Sequence, residues 1–419
     1  MLAAILELLN RFLDRLDLRG TLTITCPNKE TRSYGDGNGE TVHVSINSWT
    51  ALWRIVVAPD PGVPEAYMDG ELTFVEGDPA TFLKVIYSGK TSAPGQELHP
   101  ILPTDKLRYL MRRLHQFNPK WRSRTNVKHH YDLSRRLYDL FLDADRQYSC
   151  GYFPKPDLTL EQAQIAKKRH IAAKLLLDEG MRVLDIGSGW GGLGLTLARD
   201  YGARVRGVTL SDEQLALSRE RAEAEKLGER VNFDLIDYRD VNGRFDRIVS
   251  VGMFEHVGVN HYGEFFDKAY SLLEDEGVMV LHTIGRTGPP DATSPFIRKY
   301  IFPGGYIPAL SEIMRSVETS GLHVTDVEVL TDHYAETLKH WRERFMARRD
   351  EAVALYDERF ARMWEFYLAA SEAAFRYQDM VVFQLQLARD KLSVPRTRDY
   401  ITDLDRAGTQ RRGKMKAVS

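Results

Sequence analysis

Residues 183–192 read VLDIGSGWGG, an apolar run that closes on Asp185 and then on glycines. Glycine lets the backbone turn tightly against a ligand, and a helix that starts just after the turn offers unpaired N–H groups. That is chemistry for holding a polar, nucleotide-like molecule. The spacing differs from the dinucleotide GxGxxG, because Gly187 and Gly189 are followed by Trp190 and Gly191. Two further stretches complete a binding wall: Thr209, Ser211 and Gln214 after one apolar run, and Asp237, Tyr238 and Arg239 after the next. An acid beside an aromatic ring suits an adenine amine and its ring face. No acidic residue ends the second strand to take a ribose diol, which argues against a dinucleotide enzyme.

Other residues carry chemistry only in company. Glu255 alone reads as a helix cap or a partner of His256, His282 as a satisfied core residue, and Cys150 as a small buried hydrophobe. No motif beside Cys150 would activate it as a nucleophile. His129 and His130 are neighbours whose side chains point apart on a helix, so no metal site is expected.

The elements that must position these residues follow from periodicity. From about residue 160 the pattern is regular α/β, with strands at 182–186, 204–210, 231–236, 245–251 and 277–283. Helices at 192–201, 212–227, 263–273 and 309–320 alternate with them, which predicts a parallel sheet covered on both faces. Apolar runs at 322–330 and 380–387 are expected to close it. Upstream, 2–16 reads as an amphipathic helix, packed on its own domain or touching a membrane surface. Runs at 20–25, 41–46 and 52–57 read as strands, followed by 65–75 and a helical piece at 79–87. The stretch 104–121 is helical and basic, and with Lys106, Arg112, Arg113, Arg122 and Trp121 it is either a solvated face or a contact for anionic lipid headgroups. The basic end, 408–419, is expected to fray.

The chain of 419 residues is 43% hydrophobic and 28% charged, which excludes a disordered chain and predicts two to three domains. A formal charge of -2 gives no field that would gather nucleic acid. Two distant cysteines exclude a disulfide framework. No apolar run would span a bilayer, and Glu7, Arg11 and Asp14 interrupt the apolar start, so a cytoplasmic protein is expected.

An acidic residue followed by Gly-x-Gly after a first strand resembles motif I of the S-adenosylmethionine methyltransferases. More specifically, EAYMDG at 65–70, KHHYD at 128–132, YSCGY at 148–152 and GMFEHVG at 252–258 resemble the cyclopropane fatty acid synthases and the related mycolic acid cyclopropane synthases. So do HTIG at 282–285, YIFPGG at 300–305 and DHY at 332–334. The resemblance covers nearly the whole chain. It implies a Rossmann-like methyltransferase sheet with a small N-terminal α+β lipid-binding domain: 1–103 lipid-binding, 104–147 linker, 148–407 methyltransferase and 408–419 tail. Tyr148, Ser149, Gly187, Gly189, residues 209–214, Tyr238 and Arg239 fall on the family's cofactor contacts, joining Asp185, Trp190, Gly191 and Asp237 from the reading above. Cys150, Glu255, His282, Ile284 and Tyr334 fall on its bicarbonate-binding cluster. Where family members often carry cysteine this chain has Ser371, so a covalent cysteine step at that point is not available.

The resemblance implies methyl transfer from S-adenosylmethionine to a cis double bond of a phospholipid acyl chain. Bicarbonate would then take the proton whose loss closes a cyclopropane ring. Aromatics such as Tyr152, Phe153, Tyr306 and Phe375 would face the cationic intermediate. It further implies a homodimer, and a phospholipid substrate would bring the protein peripherally to the inner face of the membrane, where the 2–16 helix, 106–124 and 296–306 are the expected contact surface. Three other readings compete: a methyl- or methylene-branching enzyme, a small-molecule N- or O-methyltransferase, and a lipid carrier with a vestigial enzyme domain.

Overall fold

The computed structural model describes residues 2–89 and 135–416, and the chain divides into two compact units. The basic stretch 104–124 and the KHHYD motif lie outside the described residues. The units are not consecutive in sequence. The first takes Met1–Leu114, Thr287–Pro303 and Tyr334–Met380; the second takes His115–Arg286, Gly304–His333 and Val381–Ser419.

In the first unit four short strands form a sheet in the order β2-β1-β3-β4. They are β1 (Thr21–Thr25), β2 (Thr31–Tyr34), β3 (Thr41–Ile46) and β4 (Leu72–Glu76). The helix Leu2–Leu13 buries Ile5, Leu9 and Leu13 within the unit, while Leu8 stays exposed. The expected strand at 52–57 is instead the helix Trp49–Val57. Ser48 caps it by accepting from the Ala51 N–H at 3.0 Å, and its buried residues Ala51, Leu52, Ile55 and Val56 follow helical spacing. The stretch 65–75 divides between the helix Pro59–Met68 and β4. The long helix Glu358–Tyr377 packs on Pro59–Met68 and on Pro79–Tyr87. Tyr67 donates to Glu365 Oε2 across that contact at 2.9 Å.

In the segment 296–303, expected on a membrane-facing surface, two apolar residues pack inward while Lys299 stays exposed. Phe296 and Ile301 are buried, Phe296 sits edge-on to Phe366 at 5.6 Å, and Tyr300 donates to Glu65 Oε1 at 2.8 Å.

The second unit is built on seven strands in the order β10-β11-β9-β8-β5-β6-β7. These are β5 (Arg182–Ile186), β6 (Arg204–Thr209), β7 (Val231–Leu235), β8 (Phe245–Val251), β9 (Leu273–Arg286), β10 (His323–Leu330) and β11 (Met380–Ala388). Strands β7, β6, β5, β8 and β9 pair in parallel, and β10 pairs antiparallel with β11, as a closing pair at one edge. Both faces are covered. Leu184, Ile186, Ile248, Met279 and Leu281 enter one core, and Val183, Val249 and Val280 the other. That alternation is the period of two that a strand imposes. The strand order reverses at β5, between β6 on one side and β8 on the other, which puts a crevice beyond the carboxyl ends of β5 and β8. The helix Asp399–Lys416 carries regular backbone into the basic segment expected to fray. Among the described residues no helix is long and apolar enough to cross a membrane.

Candidate active site

The glycine loop leaves β5 at that crevice. Gly187 has a left-handed backbone (φ 83°), and a Cβ there would lie 2.7 Å from the Met253 side chain, so only glycine fits. The Gly187 and Ser188 N–H groups both donate to the Val208 carbonyl at 3.0 Å, tying the loop to the end of β6. Beyond it runs the helix Gly192–Tyr201. Asp185 is 1% exposed, its Oδ2 has no hydrogen-bond partner among the described residues, and burial pushes its carboxyl up to about 7 against the opposing pull of Lys167. Ser188 Oγ and Trp190 Nε1 are likewise buried and unpartnered. Three such atoms in six residues are what a missing polar ligand leaves behind, so the loop fits the expected cofactor.

The rest of the cofactor set gathers at neighbouring strand ends. Thr209 donates to Gln214 Oε1 at 2.8 Å and accepts from the Ser211 N–H at 3.2 Å, while Ser211 caps the helix Asp212–Ala224. Asp237 holds Arg239 through its backbone N–H (3.0 Å), Nε (2.8 Å) and Nη2 (2.6 Å). The Arg239 guanidinium lies 5.6 Å from the centre of the Tyr238 ring, and burial pushes the Tyr238 hydroxyl well above its ordinary range. Ser149 approaches Gly252 at the end of β8, with its Cβ 3.8 Å from where a side chain there would begin. Tyr148 stands edge-on to Tyr138 at 5.4 Å, and Tyr138 edge-on to Trp190 at 5.9 Å.

Residues that the sequence did not single out hold this arm in place. Lys167, fully buried on the helix Leu160–Lys174, donates to Ser149 Oγ and Gln147 Oε1, both at 2.8 Å. Burial lowers its ammonium to about 8. One turn earlier Gln164 donates to the Ser149 carbonyl at 2.9 Å. Asp145 is the hub: it takes Lys168 and Arg221, and Arg221 also donates to the Trp190 carbonyl at 2.8 Å. A Cβ at Gly192 would lie 2.5 Å from both Asp145 oxygens, so the carboxylate sits at the start of that helix, where the dipole favours it. Polar residues at 164, 167 and 168 share a helix face, which was visible; that the face is buried was not.

Four of the five expected base-cluster residues lie in the second unit. Cys150 is fully buried and its thiol donates to the Gly151 carbonyl at 3.1 Å. Glu255, on the short turn Phe254–His256 after β8, accepts from the Ile284 N–H through Oε1 at 2.6 Å. Its backbone carbonyl accepts from the Tyr306 N–H at 2.9 Å. The other carboxyl oxygen, Oε2, is buried without a hydrogen-bond partner of good geometry among the described residues, and burial pushes the group up to about 7 against the opposing pull of the Ile284 and Glu255 N–H groups and the Thr283 hydroxyl. Ile284 and His282 are two residues apart on β9 and share a face. His282 is 2% exposed, and burial holds its imidazole neutral, well below the usual range. Its Nδ1 lies 3.1 Å from Gln384 Nε2 of β11. Tyr334 belongs to the first unit, where its ring packs on Phe375 at 4.7 Å and Trp341 at 5.8 Å. Of the expected aromatics, Tyr152 is stacked between His170 (4.2 Å) and His333 (5.1 Å), and Tyr306 is buried with its hydroxyl donating to Glu312. Among the described residues no cluster could hold a metal ion.

A profile of the mycolic acid cyclopropane synthetase family matches residues 118–385. A cyclopropane-fatty-acyl-phospholipid synthase of Escherichia coli K12 is 41% identical over 339 residues, covering 80% of this chain and 85% of that one. A probable fatty acid methyltransferase of Pseudomonas putida is 45% identical over 256 residues, which cover 59% of this chain and 65% of that one. The crystal structure of the mycolic acid cyclopropane synthase CmaA1 complexed with SAH and CTAB superposes with a TM-score of 0.61 at 34% identity, covering 65% of this chain and 99% of that one. With its seven-stranded sheet and glycine loop, the chain belongs to the mycolic acid cyclopropane synthetase family of S-adenosylmethionine-dependent methyltransferases.

Proposed function

We propose that the protein methylates the cis double bond of an unsaturated acyl chain carried on a phospholipid and closes a cyclopropane ring there. The observation that carries this reading is Glu255, a buried carboxyl raised to about 7, with one oxygen fixed by Ile284 and the other unpartnered. S-adenosylmethionine supplies, when bound, an electrophilic sulfonium methyl. Asp185, Ser188 and Trp190, with Ser149 and the Thr209–Gln214 pair, are the residues that would hold it.

An isolated alkene is a weak nucleophile, so the chain's contribution is orientation and exclusion of water. The alkene's π pair forms the new carbon–carbon bond and leaves a cation on the chain. Loss of one proton from the transferred methyl then frees the electron pair that closes the ring. A site for a small anionic base suits that step. Near neutral pH a protonated Glu255 can donate a hydrogen bond to an anion without giving up its proton, and a neutral His282 brings no competing charge. Bicarbonate fits such a site and would supply the base, with Glu255, His282 and the backbone near Ile284 and Cys150 to hold it. A phospholipid substrate places the work at a bilayer surface on the cytoplasmic side, which an enzyme need not span to reach.

The test is lipid mass spectrometry with deuterium NMR on cells expressing the protein and fed methionine with a trideuterated methyl. Two deuterons in an upfield ring signal are expected. A saturated methyl branch or a vinylic methylene would replace ring closure by a branching reaction. Unlabelled lipids would return the protein to small-molecule methylation.

A further inference from the structure

We propose that Gln384 is a positioning residue: it fixes the ring proton of His282 on Nε2 and so makes the imidazole a hydrogen-bond donor to the anion of the Glu255 cluster. The anion itself rests on the reading given under Proposed function; the tautomer does not.

Gln384 lies on β11 and is fully buried, with its amide nitrogen 3.1 Å from His282 Nδ1. An amide nitrogen can only donate, so with the amide in this orientation, which leaves its Oε1 buried and without a partner among the described residues, Nδ1 receives that bond on a lone pair. A neutral imidazole carries a single N–H, which leaves Nε2 as the protonated edge. The doubly protonated ring is excluded by the same contact, since an Nδ1–H would face another donor. Burial acts in the same direction, and so do the charges of Lys167, Lys174 and His170, against a smaller opposing pull from Glu328.

The choice of an amide at 384 has a chemical consequence. A carboxylate there would draw the proton to Nδ1, turn Nε2 into an acceptor and add a negative charge beside an anion site. A hydrocarbon would leave the tautomer unset. Only a side chain that donates without charge makes the ring a donor while keeping it neutral. Behind metal-bound histidines such partners tune affinity or rate by about 10–100-fold, and an effect of that order is expected behind a histidine that holds an anion.

The direct test is nitrogen-15 NMR of the intact protein labelled at histidine, with His282 assigned by the signals lost in His282→Gln. A pyridine-type shift at Nδ1 with a pyrrole-type shift at Nε2 is expected. The reverse pattern overturns the proposal and needs no variant at 384. The kinetic test is Gln384→Met, which keeps the volume and removes the donor. Its kcat is expected to fall about 10–100-fold with the KM for S-adenosylmethionine unchanged, and added bicarbonate should recover part of the loss. An undiminished kcat, or a loss accompanied by a raised KM for S-adenosylmethionine and untouched by bicarbonate, overturns the positioning role. Wild-type turnover that ignores removal of bicarbonate would instead overturn the bicarbonate reading, and the nitrogen shifts would still decide the tautomer.

Discussion

Around the glycine loop, Asp185 apart, buried charges come with partners: Asp145 takes Lys168 and Arg221, Asp237 takes Arg239, and Lys167 is held by Ser149 and Gln147. At the Glu255–His282 cluster, on the same sheet, the ionisable groups are buried without a salt bridge among those described. Glu255 is satisfied on one oxygen by a backbone N–H, and His282 by an amide. The first region uses its paired charges to fix geometry and leaves only Asp185 open toward the cofactor. The second leaves protonation adjustable near neutral pH, as a site that receives a proton or an anion must. If the difference is functional, variants in the two regions should fail in different ways.

The largest effect is expected at Glu255. Glu255→Gln keeps the acceptor for the Ile284 N–H and loses the titrating oxygen. Turnover should fall by about 10²–10⁴-fold, while the Kd for S-adenosylmethionine, measured by calorimetry, stays near that of the wild type. Equal loss of both would merge the two regions into one and make Glu255 a cofactor or folding residue.

The complementary break is at the hub. Asp145→Ala removes the carboxylate that Lys168 and Arg221 share and leaves Arg221 anchored through its bond to the Trp190 carbonyl. Removing one member of a buried pair costs about 3–5 kcal/mol, and the partial exposure of Asp145 puts this case near about 3 kcal/mol. Urea unfolding should show that loss, and S-adenosylmethionine binding should weaken with it. A stability close to wild type would mean that the network is a surface ornament.

A smaller, pH-dependent effect follows from Glu255 itself. Its folded carboxyl sits at about 7 against an ordinary 4.5, so the folded state binds more protons across that window. The group's contribution to stability is therefore full below about pH 4.5 and is lost as pH rises through 7. Glu255→Gln removes this penalty, so it should gain stability relative to wild type between those values, on the order of 2 kcal/mol. A difference that stays flat from pH 4.5 to 8 would show that Glu255 is not raised. Asp185, also raised to about 7, remains in both proteins and cancels in the comparison.

What the sequence made legible tracks what is local. β5, β8 and the helix Gly192–Tyr201 match their expected bounds, because each is an apolar or alternating run closed by glycine, aspartate or tyrosine at a turn. The run at 52–57 misled because Ile55, Val56 and Val57 are β-branched; the outweighing signal was Ser48, a capping residue one position before the helix. Segment 296–306 has the aromatic composition of a membrane surface, yet Phe296, Ile301 and Tyr306 are buried. Composition does not say which way a side chain faces. Lys167 and Gln384 were invisible for a deeper reason. Their roles depend on partners 18 and 102 residues away, and nothing local marks a lysine or glutamine as fully buried.

The smallest expected effect tests whether the two regions are separable at all. The helix Leu160–Lys174 carries Gln164, Lys167 and Lys168 to the cofactor arm, and it starts with a capping box. Thr159 Oγ1 accepts from the Gln162 N–H at 3.3 Å, and Gln162 Oε1 accepts from the Thr159 N–H at 2.9 Å. Thr159→Ala removes one half of that box, at about 1 kcal/mol. The substituted side chain lies on an exposed contact, more than one turn from Lys167, so the hydrogen bonds to Ser149 need not move. A protein slightly less stable, with kcat and the KM for S-adenosylmethionine unchanged, is the expected result. A raised KM at that small cost in stability would mean that the cofactor arm depends on the helix start as well as on its buried face. The boundary of the charge-fixing region would then extend to residue 159.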